Sequence, residues 1–144
     1  MRTLHASVAG SVLAVSLALC GSAYAEEMKF KAELAGDQEV PPVETAATGT
    51  ADVTYNSDTK ELTYSVTFDG LSGPASAAHF HGPAAPGENA GPVVPIEDLE
   101  SPSEGTATLT QEQADQLTGG QWYVNVHTEA NPGGEIRGQV EQGM

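Results

Sequence analysis

His79, Phe80 and His81 form a His-x-His run, and a further histidine follows at His127. Each lies in a stretch that alternates apolar and polar residues, which reads as a strand. Successive side chains of a strand point to opposite faces. In Ala78-His79-Phe80-His81 the apolar Ala78 and Phe80 take the core face, so both histidines take the other. The strand rise sets their Cα atoms about 6–7 Å apart, and both rings can then reach one metal ion. In Gln121 to His127, Trp122, Val124 and Val126 go inward, leaving Tyr123, Asn125 and His127 outward. A third imidazole from a neighbouring strand completes a three-nitrogen set. The expected metal ligands are therefore His79, His81 and His127. Imidazole suits copper, zinc, nickel and iron. Copper is favoured by its affinity for nitrogen donors, with zinc as the alternative.

The residues around this set have expected roles of their own. In Glu135 to Val140, Ile136 and Val140 go inward, and Glu135, Arg137 and Gln139 go outward. A hairpin through Thr128–Gly134 sets Arg137 on the side of His127. There it steers an anion or pairs with an acid such as Glu135 or Glu129. Tyr123, Asn125 and Glu135 are expected to orient the ligands from outside the first coordination sphere. Glu39, ahead of Pro41-Pro42, reads as a loop charge rather than a ligand. No nucleophile elbow, phosphate loop, dinucleotide fingerprint or Asp-x-Asp calcium loop is present.

The elements that must position these side chains are short and mostly extended. Alternation predicts strands over Met28–Leu34, Thr50–Tyr55, Glu61–Phe68, Ala75–His81, Gln121–His127 and Glu135–Val140. Val93–Ile96 and Gly105–Leu109 add two shorter ones. Asn56-Ser57-Asp58-Thr59 is turn chemistry and joins the second and third runs as a hairpin. Thr110-Gln111-Glu112-Gln113 is a capping box, opening a short helix that stops at Gly119-Gly120. Glu141 to Met144 reads as a frayed tail. Seven or eight short strands with frequent turns predict an all-β fold. The expectation is an antiparallel, Greek-key-like β-sandwich of the immunoglobulin or superoxide-dismutase kind, with one short helix.

Composition narrows the partners. The 144 residues suit one domain. Five Lys and Arg against 20 Asp and Glu give a formal charge of −15. That disfavours nucleic acid and anionic lipid surfaces. Met1–Ala25 has a short n-region with Arg2, an apolar run from Val8 to Leu19, and small residues at Ala23 and Ala25. This is a signal-peptide pattern with cleavage before Glu26. The apolar run falls short of the roughly 20 residues of a membrane span. Leu19-Cys20-Gly21 also resembles a lipoprotein box, although Leu19 is bulkier than such boxes prefer. Cleavage leaves 119 residues, residues 26–144, as a single domain with its core over about 28–141. It removes the sole Cys and His5, and with Arg2 gone it moves the charge to −16. The mature chain is expected in the periplasm or secreted, with no disulfide to stabilise it.

Several ordered motifs carry a resemblance. They are Leu34-Ala35-Gly36-Asp37-Gln38-Glu39-Val40-Pro41-Pro42-Val43, Ala78-His79-Phe80-His81-Gly82-Pro83-Ala84, Trp122 to Thr128, and Asn131-Pro132-Gly133-Gly134-Glu135-Ile136-Arg137-Gly138-Gln139. Together, over about Met28 to Glu141, the chain resembles the CHRD domain family, named after chordin. The resemblance implies an exported β-domain and does not by itself imply an enzyme. A looser similarity is to copper–zinc superoxide dismutase, where a His-x-His strand, a later His and a late Arg occur in the order of His79, His81, His127 and Arg137. A bridging His, a full zinc ligand set and a Cys pair are missing here. Three functions follow as expectations. One is an exported protein that stores, delivers or sequesters copper. Another is an interaction or matrix module with an exported protein partner. The third is a small copper redox enzyme.

Overall fold

The computed structural model describes residues 26–143. The leader and Cys20 readings therefore lie outside the described residues. Alternation becomes β1 (Glu27–Ala35), β2 (Thr48–Asn56), β3 (Glu61–Asp69), β4 (Ala75–His81), β5 (Pro92–Pro95), β6 (Ser103–Thr108), β7 (Tyr123–Thr128), β8 (Ile136–Gln139) and β9 (Glu141–Gln142). One helix, α1 (Gln111–Thr118), precedes β7, and a 3-10 turn spans Gly36–Gln38. The β2–β3 hairpin closes because Asn56 Oδ1 accepts the amides of Asp58 and Thr59 at 3.0 and 3.1 Å. The capping box forms as expected: Thr110 Oγ1 accepts from the Gln113 amide, and Gln113 Oε1 accepts from the Thr110 amide.

All strands join one antiparallel sheet in the order β5-β4-β7-β8-β1-β2-β3-β6, with β9 also on β1. The sheet curls until its inner face closes on itself. Tyr64 of β3 meets Phe80 of β4 with ring centroids 5.3 Å apart, although the two strands sit near opposite ends of the order. The fold is thus the expected antiparallel all-β type with one short helix, drawn as a single nearly closed, barrel-like sheet. Its core is built by the residues that alternation sent inward, including Phe30, Leu34, Leu62, Val66, Phe80 and Trp122, all buried. Removing such apolar surface from water is the main favourable term in folding.

Two features depart from expectation. The tail beyond Val140 is not frayed up to Gln142: β9 pairs with β1 at Phe30↔Gln142 and Lys31↔Glu141. The reason is an unfilled edge, because β8 reaches β1 only at Ala35↔Arg137. The polar face of β4, β7 and β8 is also not open to solvent. The loop of residues 82–91 and the strap of residues 36–43 fold across it, tied together by Asn89 Nδ2 donating to the Val40 carbonyl at 3.0 Å.

Candidate metal centre

Cross-strand register brings the chemistry-bearing residues into one patch. β4 and β7 pair with His79 opposite Asn125, His81 opposite Tyr123 and His127 opposite Ala77. β7 and β8 pair with Asn125 opposite Arg137 and Tyr123 opposite Gln139. The three imidazoles therefore lie on one face of adjacent strands. Their ring centroids are 5.4 Å (His79–His81), 5.3 Å (His79–His127) and 6.2 Å (His81–His127) apart. One potential ligand atom from each lies within 4.8 Å of the other two.

Backbone carbonyls settle which nitrogens are free. His81 Nδ1 is 2.9 Å from the Ala90 carbonyl, and His127 Nδ1 is 2.9 Å from the Pro132 carbonyl. A carbonyl only accepts, so both Nδ1 atoms carry the proton. In the neutral rings, Nε2 of His81 and of His127 then presents a lone pair. Both atoms are buried without a hydrogen-bond partner, as is Nδ1 of His79. Burial, and secondarily the neighbouring His127, moves His79 below the ordinary imidazole value. Burial likewise lowers His81, against the opposing pull of the Ala90 carbonyl. Neutral imidazole is the form that binds metals. The donor set thus fits a transition ion that takes nitrogen ligands.

The surroundings differ from an open outer face. Tyr123 lies between two partners. Its ring stacks on His81 at 4.8 Å with planes 4° apart, and the Arg137 guanidinium carbon sits 3.6 Å from its centroid. The Tyr123 hydroxyl donates to the Ala90 carbonyl at 3.1 Å, the same carbonyl that holds His81. Tyr123, Asn125, Glu135 and Arg137, all expected outward, are buried. The covering loop and strap explain this for Tyr123, Asn125 and Arg137, since neither has a periodicity from which its packing could be read; Glu135 is covered instead by the chain around Thr45 and Ser72.

Arg137 forms no ion pair with Glu135 or Glu129. It is 1% exposed and donates to Asn89 Oδ1 at 3.2 Å and to the Ala85 carbonyl at 3.4 Å. Among the described residues the one ion pair within 4 Å is Lys31–Glu33. Glu135 turns the other way. Its carboxylate accepts from Thr45 Oγ1, Ser72 Oγ and Thr128 Oγ1, each at 2.7 Å, and from the Ser72 amide at 3.0 Å. Burial alone would raise its pKa, but these donors outweigh it and hold the carboxyl at about 2. Glu39 is no ordinary loop charge. It is 5% exposed, and burial pushes its carboxyl up to about 7 against the pull of Arg137 and Asn125. Its only mark in the sequence is its place in the Leu34–Val43 motif.

The CHRD domain family profile matches residues 30–140, which span β1 to the end of β8 and include every residue of this patch. No curated protein and no solved structure matches the chain. The sequence motifs that suggested the family are the segments that build the patch: the strap with Glu39, the His-x-His strand, the Trp122–Thr128 strand and the turn into β8. The match covers well over half of the chain, and on that ground the protein belongs to the CHRD domain family.

Proposed function

We propose that this CHRD-domain protein is exported and holds a transition metal through His79, His81 and His127, with copper the first choice and zinc the alternative. The role is storage, delivery or protection rather than turnover. One observation carries the reading: three imidazoles, each with a buried nitrogen that has no hydrogen-bond partner, each offer a ligand atom within 4.8 Å of the others. Backbone carbonyls that fix the opposite nitrogen are the outer support typical of metal-binding histidines. Export rests on the leader pattern, and β1 begins at Glu27, directly after the expected cleavage point. No helix among the described residues is long and apolar enough to cross a membrane.

Chelator-stripped protein beginning at Glu26 is titrated with Cu(II) and, separately, with Zn(II) by calorimetry. One equivalent is expected to bind, with nitrogen hyperfine structure in the Cu(II) spin-resonance spectrum. His79→Ala/His81→Ala is expected to abolish that binding while leaving the far-ultraviolet dichroism unchanged. Absence of binding to the native chain sinks the proposal.

A second reading, an extracytoplasmic interaction or matrix module, is favoured by the family membership and stands if neither metal binds. A superoxide-dismutase-like role has less support. Its anion-steering residue would be Arg137, whose guanidinium is packed on Tyr123 beneath the loop of residues 82–91.

A further inference from the structure

Six buried side-chain polar atoms among the described residues have no hydrogen-bond partner. Three are the imidazole nitrogens above, and Asn125 Oδ1, Glu39 Oε1 and Gln139 Oε1 are the rest. With the histidine tautomers set by Ala90 and Pro132, at least four of the six (His81 Nε2, His127 Nε2, Asn125 Oδ1 and Gln139 Oε1) are acceptors without donors. A buried acceptor left unpaired has lost its hydration with nothing to compensate it. Such atoms gathered in one patch call for something electropositive between them.

Asn125 occupies the centre of the patch. It lies opposite His79 on β4, diagonal to His81, and two residues from His127 on β7. It is 3% exposed, so its carboxamide has no access to bulk water. Nδ2 is turned toward the Gly133 carbonyl at 3.5 Å and toward the Glu39 carboxyl. Gly134 makes room for that meeting. A Cβ there would sit 2.6 Å from Asn125 Nδ2 and 2.8 Å from the Glu39 carboxyl carbon. The flipped amide would set Oδ1 against the Gly133 carbonyl and the Glu39 carboxyl, acceptor against acceptor. The Asn125 amide is also a polar neighbour of the His81 ring, to which it lies diagonal across the β4–β7 pair.

We propose that Asn125 Oδ1 is a fourth protein ligand of the metal centre, and that Glu39 is the positioning residue that keeps the Asn125 amide turned that way. The inference rests on the three-histidine reading. It adds that the site is closed by protein on four sides, the arrangement of structural rather than catalytic zinc sites. It also adds a hard oxygen donor, which favours a divalent ion over Cu(I). The buried carboxyl of Glu39 thereby acquires a reason to be there.

The test compares the native chain with Asn125→Ala, Glu39→Leu and Glu39→Gln. Zn(II) affinity is measured by competition with a chelating dye, and the Co(II)-loaded proteins are compared by visible spectroscopy. Asn125→Ala is expected to weaken Zn(II) binding 10- to 100-fold and to change the Co(II) spectrum. Glu39→Leu, which removes the acceptor, is expected to weaken binding about 10-fold, the lower end for an orienting residue. Glu39→Gln keeps an acceptor oxygen and is expected to stay within about 3-fold of native. Near-ultraviolet dichroism of Trp122 reports whether each variant is folded, and the Glu39 pair decides the matter if Asn125→Ala is not. Native binding that needs the histidines, with affinity and Co(II) spectrum unmoved in Asn125→Ala or in Glu39→Leu, overturns this inference and leaves the metal reading standing. A native chain that binds neither Zn(II) nor Co(II) overturns both.

Discussion

Glu135 shows how one side chain can tie together segments that are distant in the chain. Its carboxylate gathers Thr45, Ser72 and Thr128, so it holds the approach to β2, the approach to β4 and the end of β7 at one point. Hydrogen bonds to a charged group contribute about 1.5–3 kcal/mol. Glu135→Gln places amide hydrogens against the Ser72 amide and is expected to cost about that much, read as a lower urea midpoint. The same contacts predict an acid limit. The folded carboxyl sits at about 2 against an ordinary 4.5, so the folded state releases its proton more readily than the unfolded chain. Its contribution is complete above about pH 4.5 and is lost as pH falls toward 2. Acid unfolding of Glu135→Gln should lack that component, and an unchanged acid profile would show that Glu135 does not anchor the fold. At this scale the sequence was readable by parity alone. Parity put the three histidines, Tyr123, Asn125 and Arg137 on one face, and they share it. Parity could not show that the face is covered, because the cover comes from chain without alternation. That is why Arg137 pairs with neither Glu135 nor Glu129, and why Glu39 is a buried carboxyl rather than a loop charge.

Among the elements, those with a strong local period were the most legible. The β2–β3 hairpin keeps full register from Thr48↔Asp69 to Asn56↔Glu61 around the Asn56 turn. The helix starts where its capping box said it would. α1 seals part of the core with Ala114 and Leu117, both buried. Thr110→Ala removes the Oγ1 acceptor of the Gln113 amide and is expected to cost about 1 kcal/mol, seen as a drop of a few degrees in the thermal midpoint. A midpoint unchanged within half a degree would mean that α1 is held by packing alone. β9 was missed for a physical reason: two residues are too few to show alternation, and its pairing is set by the vacant edge of β1. The turns gave away two pairings, β2 with β3 and β7 with β8, but partner choice between strands distant in the chain was hidden, since alternation gives a strand its faces but not its neighbours.

For the whole molecule the charge dominates. The mature chain expected from the leader carries −16, yet its described residues hold a single ion pair, Lys31–Glu33, with both side chains more than half exposed. Screening thus removes much repulsion and little attraction. The thermal midpoint is expected to rise between about 10 and 300 mM NaCl, where the Debye length falls from about 30 Å to well under 10 Å. A midpoint that falls instead would point to attractive pairs in solution that the fold does not display. The topology has a temporal side as well. β1 is the seam of the sheet, joining β2, β3 and β6 on one flank to β8, β7, β4 and β5 on the other. Its partner on the second flank, β8, is separated from it by about a hundred residues of chain. A polypeptide threaded N-terminus first emerges with β1, β2 and β3 able to pair at once, while the histidine-bearing flank waits for β8 to dock. Such long-range closure is slow compared with hairpin formation. The imidazoles consequently meet only after nearly the whole chain has emerged. On the proposed reading of an exported metal protein, the three imidazoles would meet only on the far side of the membrane, and the ion bound would be chosen by that compartment rather than by the one where the chain was synthesised.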